Sequence, residues 1–371
     1  MLAQNEDRES SYKESFNKEL NMQNNTYDIA VFIGRFQPIH NSHIKVFEYA
    51  ADIAEHILAI VGSSFSPRTI KNPFQFSEIE KMIRSSVPFN NRLEIQPVRD
   101  YLYSDTKWLA DVKSIIDSSV ASIAAEKGKN PKEIRVTIIG HKKDRSSYYL
   151  DLFPEYHNEF VPNFGRINGT KIREQFYLGN IDKVHDIPQS VRDFMIFFQT
   201  EYHREIYADL IDEYHYIVSY KNAWSDTPYP VTFVTADIVF YCSGHVLMVK
   251  RKMNPGKGLL ALPGGFIAQN EPIIESAARE LKEETKIEYN RYQIKEMISQ
   301  SHVFDAPERS LRGRTVTHAF FIQKERKTLP EVKGGDDAEH AMWIPVQQLK
   351  MLEEEIFEDH LHIIDYFLHV L

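Results

Sequence analysis

The sequence predicts two domains of different architecture, a doubly wound α/β domain followed by an α+β domain. The chain has 371 residues, which is longer than one ordinary domain. Short apolar runs alternate with helical segments from residue 28 to residue 140, as in a parallel sheet covered by helices. Beyond residue 230 the pattern changes to strands joined by tight turns.

The first domain begins with a continuous apolar run, 28–33, that is typical of a buried parallel strand. Gly34 interrupts this run, and a helix is predicted from Asn41 with Ile44, Phe47 and Ala50 or Ala51 on its inner face. Helical segments continue to about residue 220. After the helix that begins at Asn41, the alternation predicts three further strands, at 56–62, 93–98 and 134–140. It also predicts a helix at 105–119.

Turn-forming residues at 221–230 (KNAWSDTPYP) predict a linker before the second domain. Strands are predicted there at 231–241, 245–250 and 315–323, and a helix within 353–371. The predicted organisation is therefore a polar tail at 1–26 that is expected to be disordered, a first domain at 27–220, a linker at 221–230 and a second domain at 231–371.

The balance of charge excludes one broad class of function. Lys and Arg total 44 against 53 Asp and Glu, so the net charge of −9 argues against general nucleic-acid binding. The single cysteine, Cys242, excludes an intramolecular disulfide and suits a reducing cytoplasm. No apolar stretch is long enough to predict a membrane span. We expect a cytoplasmic protein with small-molecule partners, and the sequence leaves open whether it forms a homo-oligomer.

Two histidines stand at the start of the first predicted helix. After the turn made by Gly34, Arg35 and Phe36, His40 and His43 are three residues apart, so both rings point to one side of the helix. A helix N-terminus offers free N–H groups and a positive dipole end, which bind phosphate. An isolated pair at this spacing is usually incidental. Its position after a strand and a glycine turn is what indicates a phosphate site.

A second basic segment, 167–173 (INGTKIR), lies near the end of the first domain. Thr170 is expected to cap a helix there, after Gly169. Lys171 and Arg173 are placed to meet the β- and γ-phosphates of a nucleotide. A threonine before a basic helix start is more often a plain cap, so the prediction depends on its pairing with the histidine segment.

Together these segments resemble nucleotidyltransferases of the H-x-G-H type, with Ser42 in place of the usual glycine. The resemblance implies a Rossmann-like fold in which His40 and His43 bind the phosphates of ATP. It also implies that they stabilise the charge developing at the α-phosphate, with Lys171 and Arg173 as further catalytic residues. Such enzymes act mainly by positioning and neutralising their substrates.

Three further segments resemble the archaeal-type nicotinamide-mononucleotide (NMN) adenylyltransferases, which make NAD and pyrophosphate from ATP and NMN. The resemblance implies substrate contacts, with Trp108 stacked on the pyridinium ring. An ordinary helix residue packed on the core is an equally good interpretation of Trp108. The segment 75–78 (QFSE) lacks the Thr and Arg that this family has there. The residues that carry the resemblance lie in RTIKNPF (Arg68, Asn72), GHKKD (Gly140, Lys143, Asp144) and DYLYSDTKW (Trp108).

In the second domain, charged residues recur at the spacing G-x5-E-x7-R-E-x-x-E-E. On a helix Glu280 lies one turn from Glu283 and Glu284, so the three carboxylates are expected to converge and hold a divalent cation. Mg²⁺ is the expected ion and Mn²⁺ the alternative. Arg279 is placed to pair with Glu283. The pattern is formed by Gly265, Glu271, Arg279, Glu280, Glu283 and Glu284.

This box resembles the signature of the Nudix hydrolases, with Lys286 where the pattern has glycine. That position ends the helix in a left-handed conformation, so lysine should cost some stability. The arginines at 309–314, including Arg312 and Arg314, make the domain similar to ADP-ribose pyrophosphatases, although an exposed basic loop is an equally good interpretation. The resemblance implies metal-assisted hydrolysis of ADP-ribose, with Glu283 and Glu339 both open as the base.

The whole chain resembles bifunctional bacterial proteins that join these two domains. The resemblance implies NAD synthesis from ATP and NMN in the first domain and hydrolysis of ADP-ribose to AMP and ribose 5-phosphate in the second. One alternative is that the second domain is a sensor that binds ADP-ribose or NAD and regulates the first. Another is that it hydrolyses NAD or NADH, which would set up a futile cycle.

Overall fold

The computed structural model describes residues 26–140, 152–161, 167–335 and 338–371, so nearly all of the predicted tail lies outside the described residues. The described residues form two compact units. The first unit draws on Met1–Ser64, Phe74–Arg99 and Thr106–Phe198, and the second draws on Phe65–Pro73, Asp100–Asp105 and Gln199–Leu371. Two short segments and one long helix from the first part of the sequence therefore belong to the second unit.

The first unit is built on a parallel sheet. Its described strands are β1 (Tyr27–Gly34), β2 (Ala54–Val61), β3 (Leu93–Pro97), β4 (Val136–Gly140) and β5 (His157–Phe160). The sheet order is β3-β2-β1-β4-β5 with every pairing parallel, which confirms the doubly wound α/β prediction. The helices are α1 (Asn41–Ile53), α2 (Phe76–Arg84), α3 (Asp105–Lys127), α4 (Gly169–Tyr177) and α5 (Gln189–Phe197), with 3-10 turns at Asn90–Arg92, Pro131–Glu133 and Ile181–Lys183 and a π turn at Phe198–Tyr202.

The predicted strands of the first domain are confirmed, and β5 is an addition. Its sequence, HNEF, is polar and none of its residues is buried, so it lacks the apolar run that marks the other strands. In α1 the buried face passes through Val46, Phe47 and Ala50, whereas Ile44 is only half-buried. The predicted inner face is therefore confirmed at Phe47 and Ala50 and wrong at Ile44.

The strand order places a topological switch point between β1 and β4. The chain leaves β1 for β2 on one side and later returns to place β4 on the other side. In doubly wound sheets ligands bind outside the carboxyl ends of the strands at such a point. The turn with His40 and His43 follows the carboxyl end of β1, and Gly140 ends β4. The predicted phosphate site therefore lies where this architecture binds ligands.

The second unit is built on a mixed sheet of order β10-β11-β6-β7-β12, with β8 paired to β7 and β9 to β6. This architecture confirms the α+β prediction. The described strands are β6 (Phe233–Cys242), β7 (His245–Arg251), β8 (Leu260–Ala261), β9 (Gly264–Phe266), β10 (Ile298–Phe304), β11 (Thr315–Lys324) and β12 (Ala338–Pro345). The helices are α6 (Arg204–Ala223), α7 (Ile273–Thr285), α8 (Arg291–Met297), α9 (Val346–Leu349) and α10 (His360–Leu368), with a 3-10 turn at Glu353–Glu355.

Helices cover both faces of this sheet. On one face Leu281 of α7 packs in a core cluster with Phe240 of β6. On the other face Leu361 and Ile364 of α10 pack with Val239. Because alternate side chains of a strand point to opposite faces, β6 contributes to both clusters. The helix α7, which carries the carboxylates of the box, is thereby fixed against the sheet.

Contacts distant in sequence explain why α6 and the two short segments join the second unit. The buried Glu213 of α6 accepts hydrogen bonds from the N–H groups of Ile70 (3.2 Å) and Gly256 (3.0 Å). Burial raises the pKa of Glu213. The Tyr103 hydroxyl donates to Asp359 Oδ2 at 2.5 Å. These units divide the chain at different places from the predicted domain boundaries.

Two expectations about burial and membranes concern single features of the chain. Cys242 at the end of β6 is fully buried, as its apolar surroundings predict. Among the helices of the described ranges, none is long and apolar enough to cross a membrane.

Replacing Asp28 by Asn is expected to destabilise the first unit by about 2 kcal/mol at pH 7. Asp28 is 1% exposed, and it accepts hydrogen bonds from Lys127 Nζ (2.6 Å) and the Arg135 N–H (2.9 Å). Burial alone would raise its pKa, but Lys127 and Arg135 outweigh burial and lower the pKa of Asp28 to about 2.

A lowered pKa stabilises the fold at pH values above the pKa that the carboxyl has in the unfolded chain. This contribution is lost as the pH falls through the folded pKa of about 2. Urea unfolding from pH 7 down to pH 2 should therefore show a difference between wild type and Asp28→Asn that shrinks in acid. A difference that is constant with pH would contradict the assignment to charge.

Candidate active sites

The structure brings the two predicted histidines together at the start of α1. His40 is the N-cap residue, and its backbone N–H donates to His43 Nδ1 at 3.3 Å. The two rings stack with centroids 3.6 Å apart and an interplanar angle of 16°. Phe36 packs edge-on against His43 at 5.0 Å. The imidazoles therefore form one preassembled pair at the helix N-terminus.

The turn that carries this pair depends on Gly34. Phe36 has a left-handed backbone (φ 50°), which folds its ring over Gly34. A Cβ atom at residue 34 would lie 2.9 Å from that ring. Arg35 between them is exposed, so its guanidinium is accessible to a ligand.

The predicted phosphate segment forms the start of α4, with one correction. Asn168, rather than Thr170, is the N-cap, because its side chain accepts from the Thr170 N–H at 2.9 Å. Thr170 instead accepts from Arg173 Nη2 at 3.2 Å. Lys171 is exposed. Asparagine is among the preferred N-cap residues, so the sequence contained the signal for this position.

Gln37 connects the histidine segment to the segment 167–173, a role that its sequence position does not predict. Its carbonyl oxygen accepts from Arg173 Nη1 at 2.6 Å. Its buried side chain donates to the Phe74 carbonyl (2.6 Å) and accepts from the Phe74 N–H (3.1 Å). Burial lowers the pKa of Arg173, and the nearby positive charge of Arg35 lowers it further. The positive charges of Arg35 and Arg173 therefore act on one side of this segment, an arrangement suited to a polyphosphate.

Four further residues of the first domain are predicted to contact the substrate. Gly140 is buried at the end of β4, while Lys143 and Asp144 lie outside the described residues. Trp108 is half-buried against the core, with its indole 6.0 Å from the Phe153 ring.

Arg68 and Asn72 lie in the segment that belongs to the second unit. Arg68 Nη1 donates to the Pro73 carbonyl at 2.7 Å. The N–H of Asn72 donates to Thr69 Oγ1 at 3.1 Å, which closes a turn within the same segment.

In the second unit the box helix α7 borders a cavity of about 490 Å³. Glu280 and Glu284 line it, and the Gly264 N–H donates to Glu284 Oε2 at 3.0 Å. Burial raises the pKa of Glu284 to about 8, and the charges of Glu280 and Asp237 add to this effect. The remaining polar lining residues are Thr235, Asp237, Arg251, Asn254, Arg309, Arg312, Glu358 and His360.

Arg279 binds three of the carboxylates of the box. Its Nε donates to Glu271 at 3.0 Å, and its Nη1 donates to both Glu280 (2.8 Å) and Glu283 (3.0 Å). Glu283 lines a separate pocket together with Arg279. The predicted Arg279–Glu283 pair is therefore present. The structure brings Glu280 and Glu284 together at the cavity and places Glu283 outside its lining.

The donor set fits a hard divalent cation. In the ranges that the structure describes, no three His, Cys, Asp or Glu side chains already form a cluster able to hold a metal ion. Glu280 nevertheless lies against the Gly265 backbone so closely that a Cβ there would be 2.8 Å from the carboxyl carbon. Carboxylate oxygens beside a bare backbone are ligands that Mg²⁺ and Mn²⁺ accept. A cation would also neutralise the buried Glu284.

The predicted arginine cluster divides into three roles. Arg309 is buried and binds Asp359 through two hydrogen bonds of 2.8 Å. Arg312 lines the cavity, with its guanidinium 5.0 Å from the centre of the Phe266 ring. Arg314 donates instead to the Asp305 carbonyl. Arg309 and Arg312 therefore both line the cavity, but Asp359 binds Arg309, so Arg312 is the better placed of the two to meet the charge of a ligand.

Neither predicted candidate for the base lines this cavity in the described structure. Glu339 lies near Lys250 (3.6 Å) and borders another pocket. The acids that do line it are Asp237, Glu280, Glu284 and Glu358. Asp237 and Glu358 were missed from the sequence. Asp237 could have been noticed as a lone acid in the apolar strand β6, whereas Glu358 is placed by the fold.

Replacing Lys286 by Gly is expected to stabilise the second unit by about 1 kcal/mol. Lys286 ends α7 with φ 51° and ψ 23°, the left-handed conformation that the sequence predicts for this position. Glycine adopts it without a clash of its Cβ atom. Thermal unfolding of the two proteins measures the difference, and an unchanged or lower Tm would show that the Lys286 side chain compensates for the strain.

Comparisons with known proteins identify a different family for each part of the chain. Residues 31–145 match the Cytidylyltransferase-like family and residues 232–367 match the NUDIX domain family. Nicotinamide/nicotinic acid mononucleotide adenylyltransferase of Acinetobacter baylyi is 33% identical over 190 residues, which cover 51% of this chain and 94% of that protein. ADP-ribose pyrophosphatase of Methanocaldococcus jannaschii is 34% identical over 131 residues, which cover 34% of this chain and 72% of that protein.

Two solved structures from Francisella tularensis span both units. A bifunctional NMN adenylyltransferase/ADP-ribose pyrophosphatase from Francisella tularensis, crystallised with AMP and a manganese ion, is similar with a TM-score of 0.83 and 33% identity. The match covers 92% of this chain and 99% of that chain. Because the match is 33% identical and covers nearly the whole of both chains, the chain belongs to the family of bifunctional NMN adenylyltransferases/ADP-ribose pyrophosphatases.

Proposed function

We infer that this chain is a bifunctional enzyme of NAD metabolism. The first unit transfers the adenylyl group of ATP to NMN, giving NAD and pyrophosphate, and the second hydrolyses ADP-ribose to AMP and ribose 5-phosphate. The inference rests above all on one observation. The similarity to the bifunctional Francisella enzyme covers 92% of this chain and so extends over both units.

For adenylyl transfer we propose that the NMN phosphate displaces pyrophosphate at the α-phosphorus of ATP. His40 and His43 at the α1 N-terminus stabilise the negative charge that develops there. Thr170, Lys171 and Arg173 hold the β- and γ-phosphates, and Arg35 adds a second guanidinium. Because the Gln37 carbonyl accepts a hydrogen bond from Arg173, the two proposed phosphate-binding segments are held next to each other. Such positioning accounts for most of catalysis in phosphoryl-type transfer.

For hydrolysis we propose that the diphosphate lies in the cavity of Glu280 and Glu284, with Arg312 neutralising part of its charge. Glu280 and Glu284, which line the cavity, would hold the divalent cation, which would supply Lewis-acid polarisation of the diphosphate. Arg279 orients Glu280 and Glu283. Mg²⁺ is the cation that we propose for the cell, with Mn²⁺ as a functional substitute.

A purely sensory second unit is disfavoured. A sensor has no need of hydrolytic carboxylates, yet every charged position of the box is kept and Arg279 holds three of the carboxylates in place. Hydrolysis of NAD or NADH would destroy the product of the first unit, so ADP-ribose is the better substrate. The cytoplasmic location predicted from the single cysteine stays a prediction.

Product analysis tests the proposal directly. The purified full chain is incubated with ADP-ribose and Mg²⁺, and in parallel with ATP, NMN and Mg²⁺. We expect equal amounts of AMP and ribose 5-phosphate in the first reaction, and NAD with pyrophosphate in the second. Chelation of the cation should stop hydrolysis, and Mn²⁺ should restore it. Intact ADP-ribose from a preparation that still makes NAD would favour the sensor.

A further inference from the structure

The cavity of Glu280 and Glu284 is also lined by His360, to which the function proposed above assigns no role. His360 is the first residue of α10 and is 5% exposed. A histidine buried this deeply needs partners for its ring nitrogens, because an unpaired polar group inside a protein costs free energy. Its hydrogen bonds therefore show which nitrogen carries the proton.

The Nδ1 atom of His360 is bound to the backbone. The Leu262 N–H donates to it at 2.8 Å, so Nδ1 acts as an acceptor and carries no proton. A neutral imidazole that accepts at one nitrogen carries its proton on the other, which places the N–H group at Nε2. Protonating Nδ1 as well would set two N–H groups against each other at that distance. The ring of His360 is therefore fixed as a neutral hydrogen-bond donor.

The charges around the ring agree with this neutral state. Burial lowers the pKa of His360. The carboxylates of Asp237 and Asp359 act in the opposite direction. The guanidinium groups of Arg309 and Arg251 add to the effect of burial. Because the pKa stays below its usual value, the ring is neutral at pH 7.

One backbone segment positions both His360 and the proposed cation ligand Glu284. The Leu262 N–H binds His360, and two residues later the Gly264 N–H donates to Glu284 Oε2 at 3.0 Å. Leu262 and Gly264 both line the cavity. The histidine and the carboxylate are therefore anchored close together along the chain and border the same space. A neutral donor can act there beside a divalent cation without the repulsion that an imidazolium would add.

We propose that His360 is a catalytic residue of the hydrolase and that its Nε2–H donates a hydrogen bond to an oxygen of the substrate's diphosphate. In the hydrolysis proposed above, water adds to one phosphorus and releases a proton, and the bond from that phosphorus to the bridging oxygen breaks. The electron pair stays on the leaving phosphate. The hydrogen bond strengthens as this charge grows, and no proton leaves Nε2. This proposal rests on the proposed hydrolysis and adds a residue that acts in it.

Two substitutions in the full chain separate the donor from the backbone contact. The side-chain oxygen of asparagine lies as far from the backbone as Nδ1 does. His360→Asn can therefore still accept from Leu262, but it has no group that reaches the position of Nε2. The amide nitrogen of glutamine reaches as far as Nε2. His360→Gln therefore keeps a donor for the ligand and loses the acceptor for Leu262.

We expect His360→Asn to lower kcat for ADP-ribose about 100-fold, with a smaller change in KM and an unchanged Tm, because one donor to the developing charge is lost. His360→Gln should keep kcat within about tenfold of wild type, while its Tm falls because the Leu262 N–H is left unpaired. Undiminished kcat in His360→Asn would overturn the proposal. Losses of kcat that follow the losses of Tm in both variants would also overturn it, since a purely structural contact gives that pattern.

His369→Asn is the matched control, because it makes the same substitution at the other end of the same helix. His369 is exposed and has a left-handed backbone (φ 51°), which asparagine tolerates well. Its kcat and Tm should equal those of the wild type. NAD formation by the first unit should be the same in all of these variants.

Nuclear magnetic resonance tests the assignment without turnover. In protein labelled with ¹⁵N-histidine, the signals of His360 are those that His360→Asn lacks. We expect a proton on Nε2 and none on Nδ1, and a shift of the Nε2–H signal when ADP and Mg²⁺ are added. A proton on Nδ1, or an Nε2–H signal that saturating ADP leaves unchanged, would contradict the proposal. If the wild-type chain fails to hydrolyse ADP-ribose, the proposed function falls separately, and this measurement still decides whether His360 binds a diphosphate.

Discussion

Replacing His40 by Asn is expected to lower the rate of NAD formation by about 10²- to 10³-fold and to leave ADP-ribose hydrolysis unchanged. His40 stacks on His43 at the N-terminus of α1, where negative charge on the α-phosphate would develop. Asparagine is a good N-cap residue, so this substitution keeps the start of the helix while removing the imidazole. The loss should therefore report on catalysis rather than on folding.

Coupled detection of NAD and of AMP from one preparation measures both activities. His185→Asn is the control, because His185 is an exposed histidine of the same unit whose carbonyl, and not its ring, binds Asn41. That variant should keep both activities. Loss of both activities in a folded His40→Asn protein would contradict two independent active sites, and undiminished NAD formation would remove His40 from the reaction.

Replacing Glu284 by Gln is expected to lower ADP-ribose hydrolysis by at least about 100-fold, with NAD formation unchanged. Glu284 is 8% exposed, and its carboxylate faces the cavity beside Glu280. Glutamine can still accept the Gly264 N–H bond, but it cannot supply the negative charge that a divalent cation requires.

The fold should tolerate this change, and the pKa of Glu284 explains why. Burial raises that pKa to about 8, so without a cation the folded protein favours the neutral carboxyl at pH 7. An acid whose pKa is raised by folding lowers the stability of the fold at pH values above its pKa in the unfolded chain. At those pH values ionisation favours the unfolded chain. Glutamine removes this cost, so the Tm measured with a chelator should not fall.

Glu275→Gln is the matched control on the same helix. Glu275 pairs with Lys295 at 2.5 Å and lies outside the cavity lining, so its replacement should leave hydrolysis unchanged. Kinetics in Mg²⁺ and in Mn²⁺ should show the same contrast between the two variants. Full activity of Glu284→Gln would falsify the cation site, and equal losses in both variants would indicate a general effect of charge on the helix.

Local patterns predicted most elements of both units. Continuous apolar runs predicted β1, β2 and β4, and the spacing of the box predicted α7 with its left-handed end at Lys286. The polar edge strand β5 has no such pattern, because none of its residues is buried. Asn168 and Thr170 are both residue types that cap helices, and only the folded backbone shows that Asn168 takes the N-cap position.

Which of several similar side chains lies at the cavity is decided by the tertiary structure. Arg312 and Arg314 are equivalent in a sequence pattern, but Asp305 engages Arg314 and leaves Arg312 at the cavity. Likewise, Arg279 holds Glu283 outside the cavity lining while Glu284 lies inside it. Such choices depend on partners brought together by folding, which spacing along the chain does not encode.

The sequence by itself determined the two fold classes, the family and the two phosphate chemistries, because each depends on residues close together along the chain. Only the tertiary structure decided which segments complete the second unit. Tyr103 reaches Asp359 across 256 positions, and Glu213 joins Ile70 to Gly256. These buried hydrogen bonds satisfy polar groups that the core would otherwise leave unpaired, and their partners become neighbours only when the chain folds.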